Sequence, residues 1–165
     1  MLESFALPPK FRIVSGGQAG ADIAALDWAI AHAVDHGGWC PKGRRSEDGP
    51  IAAHYLLSET PLSNYLQRTE WNVRDSDVTV IFTLADILDG GSKRTAQFAD
   101  KLHRPWLHFR PAVHPKFLAQ FLARHKVTTL NVAGKRESSA PGVYGFVVDA
   151  LERALVLTPG ATDGG

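Results

Sequence analysis

The sequence predicts an α/β fold in which a mainly parallel β-sheet carries helices on both faces. Short apolar, β-branched runs alternate about five times with longer segments of helical periodicity along the 165 residues. Three of the strand-to-helix transitions also carry glycines and polar residues, as in open parallel sheets that bind ligands at the carboxyl ends of their strands. We therefore expect a Rossmann-like three-layer sandwich.

The bulk composition limits the classes of function that fit this chain. Hydrophobic residues make up 44% of the sequence and charged residues 21%, as in globular proteins, and no apolar run is long enough to cross a membrane. The net charge of +1 argues against a nucleic acid polymer as the partner. Cys40 is the single cysteine, so we expect no intrachain disulfide and no cysteine-rich metal site, and we interpret it as a small buried side chain.

We divide the chain into a leader at residues 1–10, a single domain at 11–157 and a flexible tail at 158–165. The leader has neither the basic region nor the apolar stretch of a secretion signal, so we expect a cytoplasmic protein. The tail is small, polar and rich in glycine. No linker or long-period repeat indicates a second domain.

The first βα unit contains a candidate anion site. Residues 11–15 predict a strand, and residues 21–35 predict a helix from their apolar spacing. Glycines at such a junction permit a sharp turn and let the unpaired N–H groups of the helix face an anion. A tight turn without a ligand is the alternative, and Asp22 also fits as a charge that stabilises the helix N-terminus. The candidate residues are Gly16, Gly17, Gln18, Gly20 and Asp22.

The next segment adds basic and amide side chains to the prediction. Glycines at residues 37–38 are expected to cap the first helix, and a short strand is expected to start near Trp39. A polar loop at 41–50 follows, in which Lys42, Arg44 and Arg45 favour a small anionic ligand. After a small strand at 55–58, a helix at 64–74 places Arg68 and Asn72 on one face, where a merely solvated face is the alternative.

Residues 78–83 are the clearest strand, a nearly continuous apolar run typical of a central strand covered on both faces. A glycine turn and a helix at 95–103 follow. This second junction carries the candidate residues Gly90, Gly91, Ser92 and Thr95.

The last third of the chain repeats the alternation. We predict a strand at 105–109, a helix at 115–125, a strand at 128–132 and a final helix at 142–157. The buried face of the helix at 115–125 is expected to contain Phe117, Leu118, Phe121 and Leu122. The third polar junction carries the candidate residues Asn131, Gly134, Arg136 and Glu137.

Because parallel strands place the following helix N-termini at one edge of the sheet, the three junctions are expected along one rim. Backbone amides and hydroxyls at that rim can hold a phosphate, and Lys42, Arg44 or Arg68 can neutralise its charge. The dinucleotide G-x-G-x-x-G, Walker, G-x-S-x-G and H-E-x-x-H motifs are all missing from the sequence. A dehydrogenase, a serine hydrolase and a protein-ligated metal are therefore disfavoured.

Separate motifs occur in order at residues 16–22, 38–45, 48–49, 68–69, 72–73, 75–77, 90–92 with Thr95, and 131–138. Together they resemble the putative molybdenum carrier family over about residues 11–155. The resemblance implies a parallel sheet, a ligand at the glycine rim and a homo-oligomer, either a dimer or a tetramer. It also implies binding of molybdenum cofactor, a pterin that carries a phosphate, or of a nucleotide, because the wider superfamily includes the lysine decarboxylase-like phosphoribohydrolases.

The sequence departs from the phosphoribohydrolases at their catalytic glutamate. Their P-G-G-x-G-T-x-x-E signature is replaced here by residues 89–95 followed by Ala96-Gln97-Phe98. Cleavage of a glycosidic bond needs a carboxylate near the oxocarbenium-like transition state. We therefore favour a carrier or sensor of a phosphate-bearing small molecule. The alternatives are a nucleotide phosphoribohydrolase that uses Asp22 or Glu137, and an oligomeric interaction protein with a vestigial rim.

Overall fold

The computed structural model of the protein describes residues 2–157, so the predicted tail at 158–165 lies outside the described residues. The strands are β1 (Phe5–Ala6), β2 (Arg12–Val14), β3 (Asp35–Gly37), β4 (Trp39–Cys40), β5 (Ser58–Glu59), β6 (Val78–Phe82), β7 (Trp106–Phe109), β8 (Thr129–Gly134) and β9 (Leu155–Val156). The helices are α1 (Ala21–Ala31), α2 (Tyr65–Arg74), α3 (Gly90–Lys101), α4 (Pro115–Arg124) and α5 (Val143–Ala154).

The central sheet has five parallel strands in the order β3-β2-β8-β6-β7. In its register, Ile13 lies opposite Leu130, and Val80 lies opposite both Val132 and Leu107. Helix α5 packs with both α1 and α4, whereas α2 packs with α3. The three-layer Rossmann-like sandwich predicted from the alternation of strands and helices is thus confirmed.

The core lies between the sheet and its helices. Every residue of β6 is buried, in agreement with the apolar run that predicted this strand. Strand β6 has a neighbour on each side, but β8 occupies the middle of the sheet. Phe117 in α4 was expected to be buried and is instead 49% exposed, because this helix directs Leu118, Phe121 and Leu122 toward the core.

The prediction for residues 21–40 was wrong in two places. Helix α1 ends at Ala31, because Ala33 adopts a left-handed conformation with φ of 54° and the Val34 N–H bonds back to the Ala29 carbonyl. Residues 35–37, which were expected to end the helix, form the edge strand β3 beside β2. The strand expected near Trp39 is β4, which pairs with β5 in a separate small sheet. The small strand expected at 55–58 starts at Ser58 instead.

The predicted boundaries also differ near the ends and at α3. A strand inside the predicted leader, β1, pairs in parallel with β9, which occupies residues assigned to the final helix. Helix α3 begins at Gly90 rather than at residue 95, so its glycines lie in its first turn. Within the described residues, no helix combines the length and the apolar character that a membrane span requires.

Candidate functional site

The sheet order brings the three glycine-bearing junctions together. Strands β2, β8 and β6 are neighbours, and they lead into α1, α5 and α3, respectively. A cavity of about 350 Å³ lies between these junctions and α2. That volume lies within the range of small-molecule sites, roughly 300–1,000 Å³. The predicted site residues that line it are Gln18, Asp22, Arg68, Gly91, Ser92, Thr95, Gly134 and Arg136.

Glycines shape this cavity through close backbone packing. A Cβ atom at Gly16 would lie 2.4 Å from Nη1 of Arg68, so the glycine lets the Arg68 side chain lie against the chain. Gly20 has a φ of 95°, and its Cβ would lie 2.5 Å from the Lys135 carbonyl oxygen. Gly17 takes a φ of 74° in the turn between them. Residues 16, 17 and 20 therefore shape the β2–α1 junction without lining the cavity.

Asp22 is a buried carboxylate at the cavity wall. Its Oδ2 atom accepts a hydrogen bond from the Gln18 backbone N–H at 3.1 Å and lies 3.7 Å from Nη1 of Arg68. Burial raises the pKa of Asp22, and the Arg68 guanidinium only partly opposes that shift. Burial also lowers the pKa of Arg68, although an arginine stays charged under ordinary conditions. The wall thus combines a permanent cation with a carboxyl group whose protonated form is favoured by burial.

The side-chain amide of Gln18 has a defined orientation. Its Nε2 atom donates to the Arg45 carbonyl at 2.9 Å and to the Gly16 carbonyl at 3.4 Å, so the other end of the amide must be the oxygen. That Oε1 atom is buried and has no hydrogen-bond partner. Buried polar atoms normally have partners, and leaving one unpaired costs about 1–3 kcal/mol.

Unpartnered polar atoms concentrate at this cavity. Among residues 2–157, four buried side-chain nitrogen or oxygen atoms lack a hydrogen-bond partner: Gln18 Oε1, Arg68 Nε, Ser92 Oγ and Arg110 Nε. The first three belong to residues that line the cavity. This distribution is typical of a binding site, where a ligand supplies partners that the fold does not.

The N-terminus of α3 opens into the cavity without a side-chain cap. Asp89 precedes the helix, but its carboxylate forms an ion pair with Lys135 Nζ instead of bonding the first-turn N–H groups. Gly91 and Ser92 line the cavity from this first turn, and Thr95 Oγ1 bonds the Gly91 carbonyl at 2.9 Å. The partial positive charge of a helix N-terminus is therefore directed toward the cavity.

The N-terminus of α5 is capped by the protein itself. Glu137 accepts hydrogen bonds from the backbone N–H groups of Gly142 at 2.7 Å and Tyr144 at 3.1 Å. Glu137 does not line the cavity, so the structure does not bring this predicted catalytic candidate to the same place as Asp22.

Four further predicted residues lie outside the cavity lining. Arg44 donates to the carbonyls of residues 51, 52, 55 and 57 and so organises its own loop. Asn72 bonds the backbone N–H and carbonyl of Trp39, which ties α2 to β4. Asn131 donates to Thr79 Oγ1 within the sheet. Gly90 takes a φ of 50° at the start of α3, next to the lining residues.

Lys42 also lies outside the cavity lining. It is exposed, and its backbone N–H bonds the Leu62 carbonyl at 3.1 Å. The three basic residues of this loop therefore have different surroundings. Arg44 forms hydrogen bonds within the loop, and Lys42 lies at the surface. Arg45 packs on the ring of Tyr65, which lines the cavity.

Sequence reasoning missed the aromatic centre of the site. The Tyr65 ring lies 4.6 Å from the guanidinium carbon of Arg45, 4.5 Å from that of Arg136 and 5.8 Å from that of Arg68. Its position three residues before Arg68 on α2 was the available signal, because such residues are neighbours on a helix. The other missed lining residues are Leu66, Thr69, Arg94, Ala133, Lys135 and Ser139.

The described residues, 2–157, contain no group of three or more His, Cys, Asp and Glu side chains that could hold a metal ion.

Comparisons with known proteins agree with the fold. The sequence matches the model of the Circularly permutated YpsA SLOG family over residues 13–155. No functionally curated protein matches it. Among solved structures, a putative molybdenum carrier protein from Syntrophus aciditrophicus SB is 42% identical and superposes with a TM-score of 0.83. The match covers 91% of this chain and 96% of that one.

Proposed function

Because this chain belongs to the Circularly permutated YpsA SLOG family, we propose that it is a binding protein for a phosphate-bearing small molecule held in the cavity between the three glycine-bearing junctions and α2. The similarity to a solved protein called a putative molybdenum carrier supports a ligand-binding role. Molybdenum cofactor and a nucleotide are the two candidate ligands.

The observation that carries this proposal is the open N-terminus of α3. Its first turn has no side-chain cap, and the buried hydroxyl of Ser92 has no partner. The cations Arg94 and Lys135 also line the cavity, and Lys135 forms an ion pair with Asp89. Backbone N–H groups, a hydroxyl and nearby positive charge are the groups that bind phosphate at helix N-termini.

The remaining lining residues fit a ligand with a polar ring system. Gln18 Oε1 is an acceptor of defined orientation and Arg68 Nε is a donor, and neither has a partner in the protein. A pterin or a nucleobase carries both donors and acceptors at its edges. For molybdenum cofactor, the protein residues would hold the pterin and its phosphate, and we propose no direct bond from the protein to molybdenum.

Paired ligands that differ only in the phosphate test the proposal. We expect adenosine or guanosine 5′-monophosphate to bind at least tenfold more tightly than the corresponding nucleoside in isothermal titration calorimetry. Native mass spectrometry of the freshly purified protein, followed by identification of any released molecule, distinguishes a pterin from a nucleotide. Equal affinity for nucleotide and nucleoside, without any phosphate-bearing molecule in the native spectrum, would contradict the proposal.

A second candidate function is hydrolysis of an N-glycosidic bond, and the observation that favours it is Asp22. Its carboxyl group lines the cavity, and burial raises its pKa, as in general acids of glycosidases. This function predicts release of free base from nucleoside monophosphates, with loss of the activity in Asp22→Asn. Glu137→Gln is the matched carboxylate control, because Glu137 caps α5. Absence of turnover across a nucleotide panel would exclude this candidate.

The assembly state and the compartment also belong to the proposal. We propose a homo-oligomer, a dimer or a tetramer, in the cytoplasm, as the sequence resemblance implies. Native mass spectrometry counts the subunits directly, and a monomer at micromolar concentration would contradict this part.

A further inference from the structure

A loop that follows β4 brings a carboxylate next to one of the cations that line the cavity. The loop spans residues 44–51 and is closed by a hydrogen bond from the Ile51 N–H to the Arg44 carbonyl at 2.7 Å. The Arg44 side chain secures the base of this loop through bonds to four backbone carbonyls. The tip of the loop, residues 45–49, contacts residues that line the cavity.

Glu47 at the loop tip contacts Arg136, which lines the cavity, and Ser138, which lies outside the lining. Both of its carboxylate oxygens accept from Ser138 Oγ at 2.9 Å, and one lies 3.8 Å from Nη1 of Arg136. Arg136 lines the cavity, and its guanidinium packs on the Tyr65 ring. Glu47 therefore offsets part of the positive charge that Arg136 presents to the cavity.

The contact of Glu47 with Arg136 is weak enough to exchange. The separation of 3.8 Å from Arg136 is longer than a charge-assisted hydrogen bond, and the Arg136 side chain is one-third exposed. Ion pairs of this kind contribute little to stability, so a phosphate with a higher charge and more acceptor oxygens competes well for the same arginine. By contrast, Asp22 is buried against Arg68 and the Gln18 N–H and is not free to leave.

We propose that Glu47 is an internal competitor of the ligand, and that the ligand phosphate displaces it from Arg136 and so removes one of the contacts that hold the tip of the 44–51 loop. This inference rests on the proposed function. It assigns Glu47 a role that lowers affinity and couples occupancy of the cavity to the conformation of the loop.

The test compares Glu47→Gln with Asp48→Asn, using adenosine 5′-monophosphate as the probe. Both substitutions remove one negative charge from the loop tip, but Asp48 is exposed and has no hydrogen bond or ion pair to the described residues. We expect Glu47→Gln to bind about two- to fivefold more tightly than wild type in calorimetry, the range that a partly exposed ion pair provides. Asp48→Asn should bind like wild type.

Hydrogen exchange of residues 45–49 supplies a second readout. We expect added nucleotide to increase exchange at the loop tip in wild type, and Glu47→Gln to exchange faster even without ligand. Unchanged or weaker binding by Glu47→Gln, or an equal gain in Asp48→Asn, would overturn the inference and leave the proposed function intact. Absence of nucleotide binding by wild type and by both variants, with unchanged exchange in Glu47→Gln, would overturn both.

Discussion

The β6–α3 and β8–α5 junctions are built alike, but the helix N-terminus is uncapped at α3 and capped at α5. Each leads from a buried parallel strand through polar residues into a helix of 12 residues. At α5, the carboxylate of Glu137 bonds the first N–H groups, whereas at α3 the carboxylate of Asp89 pairs with Lys135 and leaves the first turn open. The difference teaches that a helix N-terminus is available to a ligand only where the chain supplies no anion of its own.

The β2–α1 junction is intermediate between these two. The N–H of Ala21 bonds the Lys135 carbonyl, and Asp22 accepts from the Gln18 N–H. This junction therefore supplies a structured wall, while α3 supplies unpaired donors.

The largest expected effect is on stability, and it compares the tightly packed Gly20 with Gly91 at the open α3 junction. Gly20→Ala should destabilise the protein by about 2–4 kcal/mol, because φ is 95° and the new Cβ would lie 2.5–2.6 Å from backbone atoms of residues 135 and 137. Gly91→Ala has open space around its Cβ, so its stability should change by less than about 1 kcal/mol. Urea denaturation measures both. Equal destabilisation would mean that the α3 junction is also tightly packed.

The next effect concerns the charge of the cavity wall. Because burial raises the pKa of Asp22 above the unfolded value of 3.8, its stabilising contribution is complete below that value and is lost as pH rises through the folded pKa. Ionised Asp22 also repels a phosphate, so nucleotide affinity should fall over the same range, about tenfold for each unit by which the ligand raises that pKa.

The phosphate itself gains negative charge as pH rises, so the affinity of the wild type alone does not report on Asp22. The Asp22→Asn variant isolates the effect of the Asp22 charge on nucleotide affinity. Calorimetric titrations of both proteins at a series of pH values give the ratio of their affinities. We expect Asp22→Asn to become the tighter binder as pH rises, and a constant ratio would contradict the role of Asp22.

Two further variants test the capped and uncapped helices directly. Glu137→Ala removes the cap of α5 and should cost about 1 kcal/mol of stability, with unchanged nucleotide affinity. Ser92→Ala should preserve stability and weaken nucleotide binding about fivefold, because a hydrogen bond to the ligand is lost. Thermal unfolding and calorimetry separate the two results. Weakened binding in Glu137→Ala with normal stability would place the ligand at α5 instead.

The smallest expected effects are on nucleotide affinity, and they compare the exposed cations Arg94 and Lys42. Arg94→Ala should weaken nucleotide binding by about two- to fivefold, because Arg94 lines the cavity and forms no ion pair within the described residues. Lys42→Ala should change neither affinity nor stability, since Lys42 lies outside the lining. Titrations at low and high salt measure both. A loss of affinity in Lys42→Ala alone would indicate that the phosphate binds at the basic loop, as the sequence predicted.

Local chemistry made much of the site predictable. Glycines at a strand-to-helix transition and a serine in the next turn have few uses outside a close backbone approach or a helix N-terminus. For that reason the sequence pattern was sufficient to identify six residues that line the cavity: Gln18, Asp22, Gly91, Ser92, Thr95 and Gly134.

The errors in the predicted site arose where polar residues of a kind that can bind a ligand form hydrogen bonds within the protein instead. Arg44, Asn72 and Asn131 are polar and lie near the expected rim, yet each bonds groups of the protein itself. Tyr65 was missed because an aromatic residue at the start of a polar helix has no signature until Arg45 and Arg136 are placed around it.

The sequence by itself determined the alternation of elements, the parallel sheet and the glycine junctions, because local periodicity and backbone freedom are encoded within a few residues. Only the tertiary structure decided that β2, β8 and β6 are neighbours, and hence that three junctions far apart along the chain share one cavity. The tertiary structure also decided which carboxylates and cations form ion pairs. Hydrogen bonds between distant segments depend on strand order and packing, and no local pattern specifies them.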